Sequence, residues 1–118
     1  MSSIIRGSDD FDSAFGNSLR ALVNFNGAGT VAVRAAKNVS SITDNGVGDY
    51  TINFTVALPD ANYVVLATGA ALAASVTGSV VHVNETNVPT TTAARILSRL
   101  STDGSLSDRG YINVGIFR

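Results

Sequence analysis

Between residues 50 and 56 apolar and polar side chains alternate without a break, with Tyr50, Ile52, Phe54 and Val56 set against Thr51, Asn53 and Thr55. Successive side chains of an extended strand point to opposite faces of a sheet. A period of two therefore describes a half-buried antiparallel strand, with one face on a core and one in water. Leu58-Pro59-Asp60-Ala61-Asn62 follows with turn chemistry, because Pro59 fixes φ and removes a backbone donor, and residues 63–67 open another strand. The two read as a hairpin with a longer loop. Upstream, residues 19–25 and 30–34 flank Asn26-Gly27-Ala28-Gly29, where glycine and asparagine allow positive φ, and so predict a hairpin with a Gly-rich turn. Residues 39–43 predict a third strand. Asp44-Asn45-Gly46-Val47-Gly48 reverses the chain into the Tyr50 strand, and Asn-Gly between alternating runs is a specific turn signal.

Downstream, the alanine-rich residues 70–75 are too few for a stable helix and are hemmed in by Gly69 and Gly78, so a loop or strand is expected there. Residues 76–84 read as a strand, ended by Glu85-Thr86-Asn87-Val88-Pro89. Residues 90–101 carry Ile96, Leu97 and Leu100 at helical spacing, but the threonine run and the neighbouring pattern favour a strand. A loop over 103–108 leads to residues 111–117, which place Ile112, Val114 and Ile116 on one face. Seven or eight short strands, turn signals about every 8 to 12 residues and no βαβ alternation predict an all-β fold: an antiparallel β-sandwich or jelly-roll-like domain over residues 19–118. Residues 1–18 differ, with Ser8-Asp9-Asp10 and Asp12 among Ile4, Ile5, Phe11 and Phe15. They read either as a frayed terminus or first edge strand, or as an N-terminal arm that sets those four apolar residues on a neighbouring subunit.

Composition narrows the function classes. A chain of 118 residues supports one core, and with 45% apolar residues, 14% charged residues and a formal net charge of -1 it fits neither a disordered segment nor a nucleic-acid-binding surface. So little charge leaves little to cover an exposed surface, which predicts that part of it is buried between subunits. With no cysteine there is no disulfide framework, thiolate metal site or cysteine nucleophile. No basic start precedes an apolar run and no stretch approaches the ~20 apolar residues of a bilayer span, so neither a signal peptide nor membrane insertion is expected.

Chemistry-bearing patterns are sparse. His82 is the sole histidine, set in an apolar strand without metal-ligating companions, and reads as structural. There is no Gly-x-Ser-x-Gly elbow, and the adjacent carboxylates Asp9 and Asp10 are not held at the separation that glycosidic acid/base work needs. Gly27-Ala28-Gly29 lacks the lysine and Ser/Thr of a phosphate loop. Asn38-Val39-Ser40, Asn53-Phe54-Thr55 and Asn84-Glu85-Thr86 match the glycosylation triplet but carry no weight without a secretory signal. Arg95 and Arg99, four apart, are expected to pair with surface acids. No enzyme, cofactor or metal is expected.

One long run of residues resembles a known module. The hairpin phrase Ala21-Leu22-Val23-Asn24-Phe25-Asn26-Gly27-Ala28-Gly29 leads into Asn38-Val39-Ser40-Ser41-Ile42-Thr43-Asp44-Asn45-Gly46-Val47-Gly48-Asp49-Tyr50-Thr51-Ile52-Asn53-Phe54. Together they resemble a module of tailed-bacteriophage fibre and other virion proteins, usually written Trp-Val-Asn-Phe-Asn-Gly-Thr-Gly and then Asn-Val-Ser-Ser-Ile-x-Asp-x-Gly-x-Gly-Asp-Tyr-Thr-x-Asn-Phe. The likeness continues through Leu58-Pro59-Asp60-Ala61-Asn62-Tyr63 and covers roughly residues 19–68. The opening Ile5-Arg6-Gly7-Ser8-Asp9-Asp10-Phe11-Asp12-Ser13 is similar to the N-terminal phrase of short marine and freshwater phage virion proteins. Two departures stand out: Leu22 replaces the usual tryptophan, and no fibrous shaft precedes the module. The resemblance implies a virion structural protein, a tail fibre or receptor-binding knob acting as a homotrimer, with a capsid decoration or cement protein as the alternative. It further implies an N-terminal attachment through Ile4, Ile5, Phe11 and Phe15 to other virion proteins, and loops around Asn45, Asn87 and Asp103 that contact a host surface polysaccharide.

Overall fold

Eight strands carry the chain in the computed structural model, which describes residues 18–74 and 77–118. They are β1 (Leu19–Asn26), β2 (Ala32–Lys37), β3 (Val39–Gly46), β4 (Asp49–Phe54), β5 (Val64–Ala70), β6 (Ser79–Val83), β7 (Ala93–Leu100) and β8 (Tyr111–Phe117). All pairings are antiparallel, in one sheet of order β2-β1-β8-β5 and a second of order β3-β4-β7-β6. The all-β sandwich expected from the alternation is what forms. Of the segment expected as an arm, only Ser18 is described; Ile4, Ile5, Phe11 and Phe15 lie outside the described residues.

The core comes from the central strands of both sheets. Ala21, Val23 and Phe25 of β1 and Ile112, Val114 and Ile116 of β8 face Tyr50, Ile52 and Phe54 of β4 and Ala94 and Ile96 of β7, all buried. Each large aliphatic or aromatic among them stabilises the fold by about 1.5–3 kcal/mol relative to an exposed position. Two aromatic pairs key the layers together edge to face: Phe25 with Tyr50 at 5.1 Å between ring centroids, and Phe54 with Tyr63 at 5.8 Å. The segment 90–101, ambiguous in sequence, is strand β7, which pairs with β4 on one side and β6 on the other.

Three readings need correction. The stretch after the Tyr50 strand is not a hairpin: β4 is flanked by β3 and β7, whereas β5 pairs with β8 in the other sheet. Residues 55–63 therefore cross between sheets, and their buried Leu58 and Tyr63 close the end of the core while Val56 is left exposed. The tip of the β3–β4 turn is Val47-Gly48, not Asn45-Gly46; Gly46 still pairs with Asp49, and Gly48 takes the left-handed φ of 62°. Finally, β2 begins at Ala32, two residues later than expected, and is exposed along its whole length.

The step from β2 to β3, across the sandwich edge, takes a single residue. Asn38 has φ 55°, a left-handed conformation that asparagine tolerates better than most residues. Its side chain binds both layers: Oδ1 accepts from Val56 N–H at 2.7 Å, and Nδ2 donates to the carbonyls of Arg20 and Val56, each at 3.1 Å. Asn38→Ala is expected to lower stability by about 2 kcal/mol, through lost hydrogen bonds and a disfavoured φ. Asn38→Gly should restore the part that belongs to φ, and urea denaturation of both variants separates the two.

The register also sorts the connections into two ends. At one end lie the turns 27–31 and 47–48 and the segment 101–110, since Asn26 pairs with Ala32, Gly46 with Asp49, and Ser79 with Leu100. At the other lie Ser18, Asn38, the crossing 55–63, the loop 84–92 and Arg118, whose N–H donates to the Ser18 carbonyl at 3.0 Å.

Candidate functional site

The chemically richest surface is the outer face of β4, β7 and β6. Asp49 of β4 and His82 of β6 both stand in register with Leu97 of β7, so the three form one row across the sheet. Arg95 and Arg99, two residues either side of Leu97, share its face, as period two requires. Arg95 clamps Asp49 in a bidentate pair, Nε to Oδ1 and Nη2 to Oδ2 at 2.8 Å each. Those hydrogen bonds from Arg95 hold the Asp49 carboxyl below the usual carboxylate range, against the opposing pull of burial. Arg99, expected to pair with an acid as well, meets none among the described residues. Its Nε donates to His82 Nε2 at 3.1 Å and its Nη1 to the Gly104 carbonyl at 2.8 Å. Because His82 Nδ1 lies 2.8 Å from the Val83 carbonyl, the ring proton sits on Nδ1 and Nε2 is the acceptor. Contacts at both ring nitrogens thus fix the imidazole as a wall.

Asp49, His82, Leu97 and Arg99 rim an open recess completed by Asn84, Glu85 and Thr86 at the exit of β6. Asn84 organises that exit. Its side-chain Oδ1 accepts from the N–H of Thr86 at 2.8 Å and of Asn87 at 3.0 Å, while its own N–H donates to the Arg95 carbonyl at 2.8 Å. The sequence showed His82 as plain structure and Asn84 only as part of a glycosylation triplet. The available signal was the Asx-turn pattern of an asparagine ending a strand before a polar loop.

The outer face of the opposite sheet is different. One row across it runs Lys37, Leu22, Gly115, Leu66, and the next runs Ala35, Asn24, Asn113, Thr68. In the second row Arg34 donates to Asn24 at 3.2 Å, Asn24 donates to Asn113, and Asn113 donates to Thr68 at 3.2 Å. In the first, Gly115 leaves a shallow apolar depression between Leu22 and Leu66. Leu22 lies on this face. Leu66 and Val64 are 60% and 56% exposed, and Arg34 stacks on Tyr111 at 4.3 Å from the ring centroid.

The three loop residues expected as receptor contacts do not converge. Asn45 is in strand β3, where its Nδ2 donates to Thr51 Oγ1 at 2.7 Å. Asp103 lies at the same end, its carboxyl held below the usual range by the N–H and hydroxyl of Ser105. Asn87 is exposed in the loop at the opposite end of the sheet. Among the described residues no group of three or more His, Cys, Asp or Glu side chains is placed to hold a metal ion. The chain matches no protein-family model, no curated protein and no solved structure.

Proposed function

We propose that the chain is a phage virion structural protein, a tail fibre or receptor-binding knob that works as a homotrimer and contacts the host cell surface. The contrast between its two outer faces carries this reading. The β1-β8-β5 face offers Leu22, Leu66, Val64 and Phe117 around a glycine, which suits burial against a second copy, whereas the β4-β7-β6 face offers anchored polar groups, which suit a hydrated partner. The resemblance over residues 19–68 supplies the phage setting. The segment before Ser18 joins the domain at the end opposite the turns 27–31 and 47–48, which suits attachment to other virion proteins at one end and presentation at the other.

Light scattering of the purified protein tests the assembly. The expected mass is three times 12.1 kDa, and Leu66→Glu, which plants a charge in the apolar row, is expected to reduce it to a single chain without unfolding the sandwich. A wild-type monomer at all concentrations would sink the assembly reading. Immunolabelling of virions then decides the setting: label at the tail supports the knob, and label over the capsid lattice transfers the protein to capsid decoration.

A further inference from the structure

We propose that the recess on the outer face of β4, β7 and β6 is a saccharide site, in which the Asn84 side-chain amide donates to a sugar hydroxyl and the carboxylates of Asp49 and Glu85 accept from its neighbours. The inference rests on the receptor-contact reading above, and it moves the contact from the loop tips to a sheet face.

Asn84 carries the argument. It is only 7% exposed, and both hydrogen bonds to its side-chain oxygen come from backbone N–H donors, so the amide cannot be turned around. Its nitrogen points away from those donors and has no acceptor among the described residues. The nitrogen is not sealed from solvent, so a ligand oxygen at this position takes the place of water. Asn84 lines the recess, so an oxygen bound there can reach the free N–H.

The neighbours supply the complementary half. A carboxylate offers about four lone-pair directions. Arg95 takes two on Asp49 and Asn45 approaches a third at the longer distance of 3.5 Å. Glu85 is exposed at the rim. A hydroxyl both accepts and donates, so a sugar diol is the ligand that satisfies an amide donor and a carboxylate acceptor side by side. Leu97, largely buried, closes the floor between these polar groups. Two acids, Asp49 and Glu85, are balanced by two cations, Arg95 and Arg99, which favours a neutral sugar over an anionic one. Every one of these groups except Glu85 is tied to a neighbour on a strand or at its exit, so little ordering remains to be done on binding.

Backbone amide shifts of the full chain test the site, with dextran, mannan and galactan hexamers as neutral probes and polygalacturonate as the acidic one. Neutral hexamers are expected to shift Asn84, Glu85 and Leu97, with polygalacturonate weaker. Asn84→Asp keeps the oxygen that caps the turn but replaces the donor with an acceptor. It is expected to weaken binding at least tenfold with little change in melting temperature, and Glu85→Gln to weaken it several-fold. Absence of shifts with all four probes, or shifts confined to residues 45–48 and 101–106, overturns the assignment, as does full affinity in Asn84→Asp. Adhesion to host cells separates this from the parent reading. If wild type and Asn84→Asp adhere equally while Asp103→Ala does not, the receptor reading stands and the recess falls. If hexamers shift the recess but wild type does not adhere, the site stands and the receptor reading falls.

Discussion

Gly48→Ala is expected to destabilise the sandwich by about 3 kcal/mol, enough to lower the melting temperature by more than 10 °C. Two effects add. At φ 62° an alanine already pays the left-handed penalty of about 1–2 kcal/mol. In addition, a Cβ at Gly48 would lie 2.5 Å from the Ser98 carbonyl oxygen and 2.7 Å from Ser107 N, backbone atoms that cannot rotate aside. They are themselves engaged, Ser107 N–H with the Ser98 carbonyl at 2.9 Å and Ser98 N–H with the Gly48 carbonyl at 2.8 Å. Gly104→Ala is the comparison: its φ of 74° is of the same kind, but nothing lies within 4 Å of the added carbon. That variant should lose only the conformational part, about 1 kcal/mol. Equal losses in the two, read by thermal unfolding followed by circular dichroism, would show that the close approach at Gly48 costs nothing.

The same end of the domain sets the second large effect. Asp108 Oδ1 accepts from Gly48 N–H at 2.8 Å and from the Tyr50 hydroxyl at 2.5 Å, and the Gly27 carbonyl lies 2.8 Å from that hydroxyl. One carboxylate thus joins the β3–β4 turn, the core strand β4 and the segment before β8. Tyr50→Phe keeps the ring against Phe25 and removes the donor, and a hydrogen bond to a charged partner is worth about 1.5–3 kcal/mol. Alkali should reveal the same residue. Burial, and then the Asp108 carboxylate, push the Tyr50 phenol far above its ordinary value, and burial pushes Tyr63 up to about 12. Both pKa values are raised in the folded state. The stabilisation they provide is complete below about pH 10, the unfolded value, and is lost as pH climbs toward the folded ones, by about 1.4 kcal/mol per pH unit for each tyrosine. Phenolate absorbance from these two residues should therefore appear together with loss of the β-sheet signal. Tyr50→Phe, though less stable at neutral pH, should show a shallower loss above pH 10. Ionisation of both phenols with the sheet intact would mean that they are not sealed in the core.

How much of this was legible follows from the range of each signal. Alternation is local, so Tyr50, Ile52 and Phe54, and likewise Ile112, Val114 and Ile116, declared their inward faces directly. Turn chemistry is local too, but it says only that the chain reverses, not which sheet it rejoins. Pro59 and Asp60 looked like a hairpin loop because nothing nearby in sequence records that β3 and β7 already occupy both sides of β4. The recess depends on more distant facts. Asp49, His82 and Leu97 meet only through register across three strands, and the free donor of Asn84 is a remainder after its oxygen has been used twice. Residue types alone could not reveal either. The pairing of Arg95 with an acid was foreseeable from charge and spacing, but the hold of Arg99 on an imidazole and a carbonyl was not.

The meeting of Ser18 and Arg118 at one end has a mechanical consequence. β1 and β8 are antiparallel neighbours, so a pull applied between these two ends opens their ladder one hydrogen bond at a time, like a zip, and meets little resistance. A pull between Ser18 and the turns at the far end runs along the strands instead. It loads the cross-strand hydrogen bonds in parallel, as shear, and they must fail together. The domain is therefore weak against a pull between its two ends at Ser18 and Arg118 and strong against one along its strands.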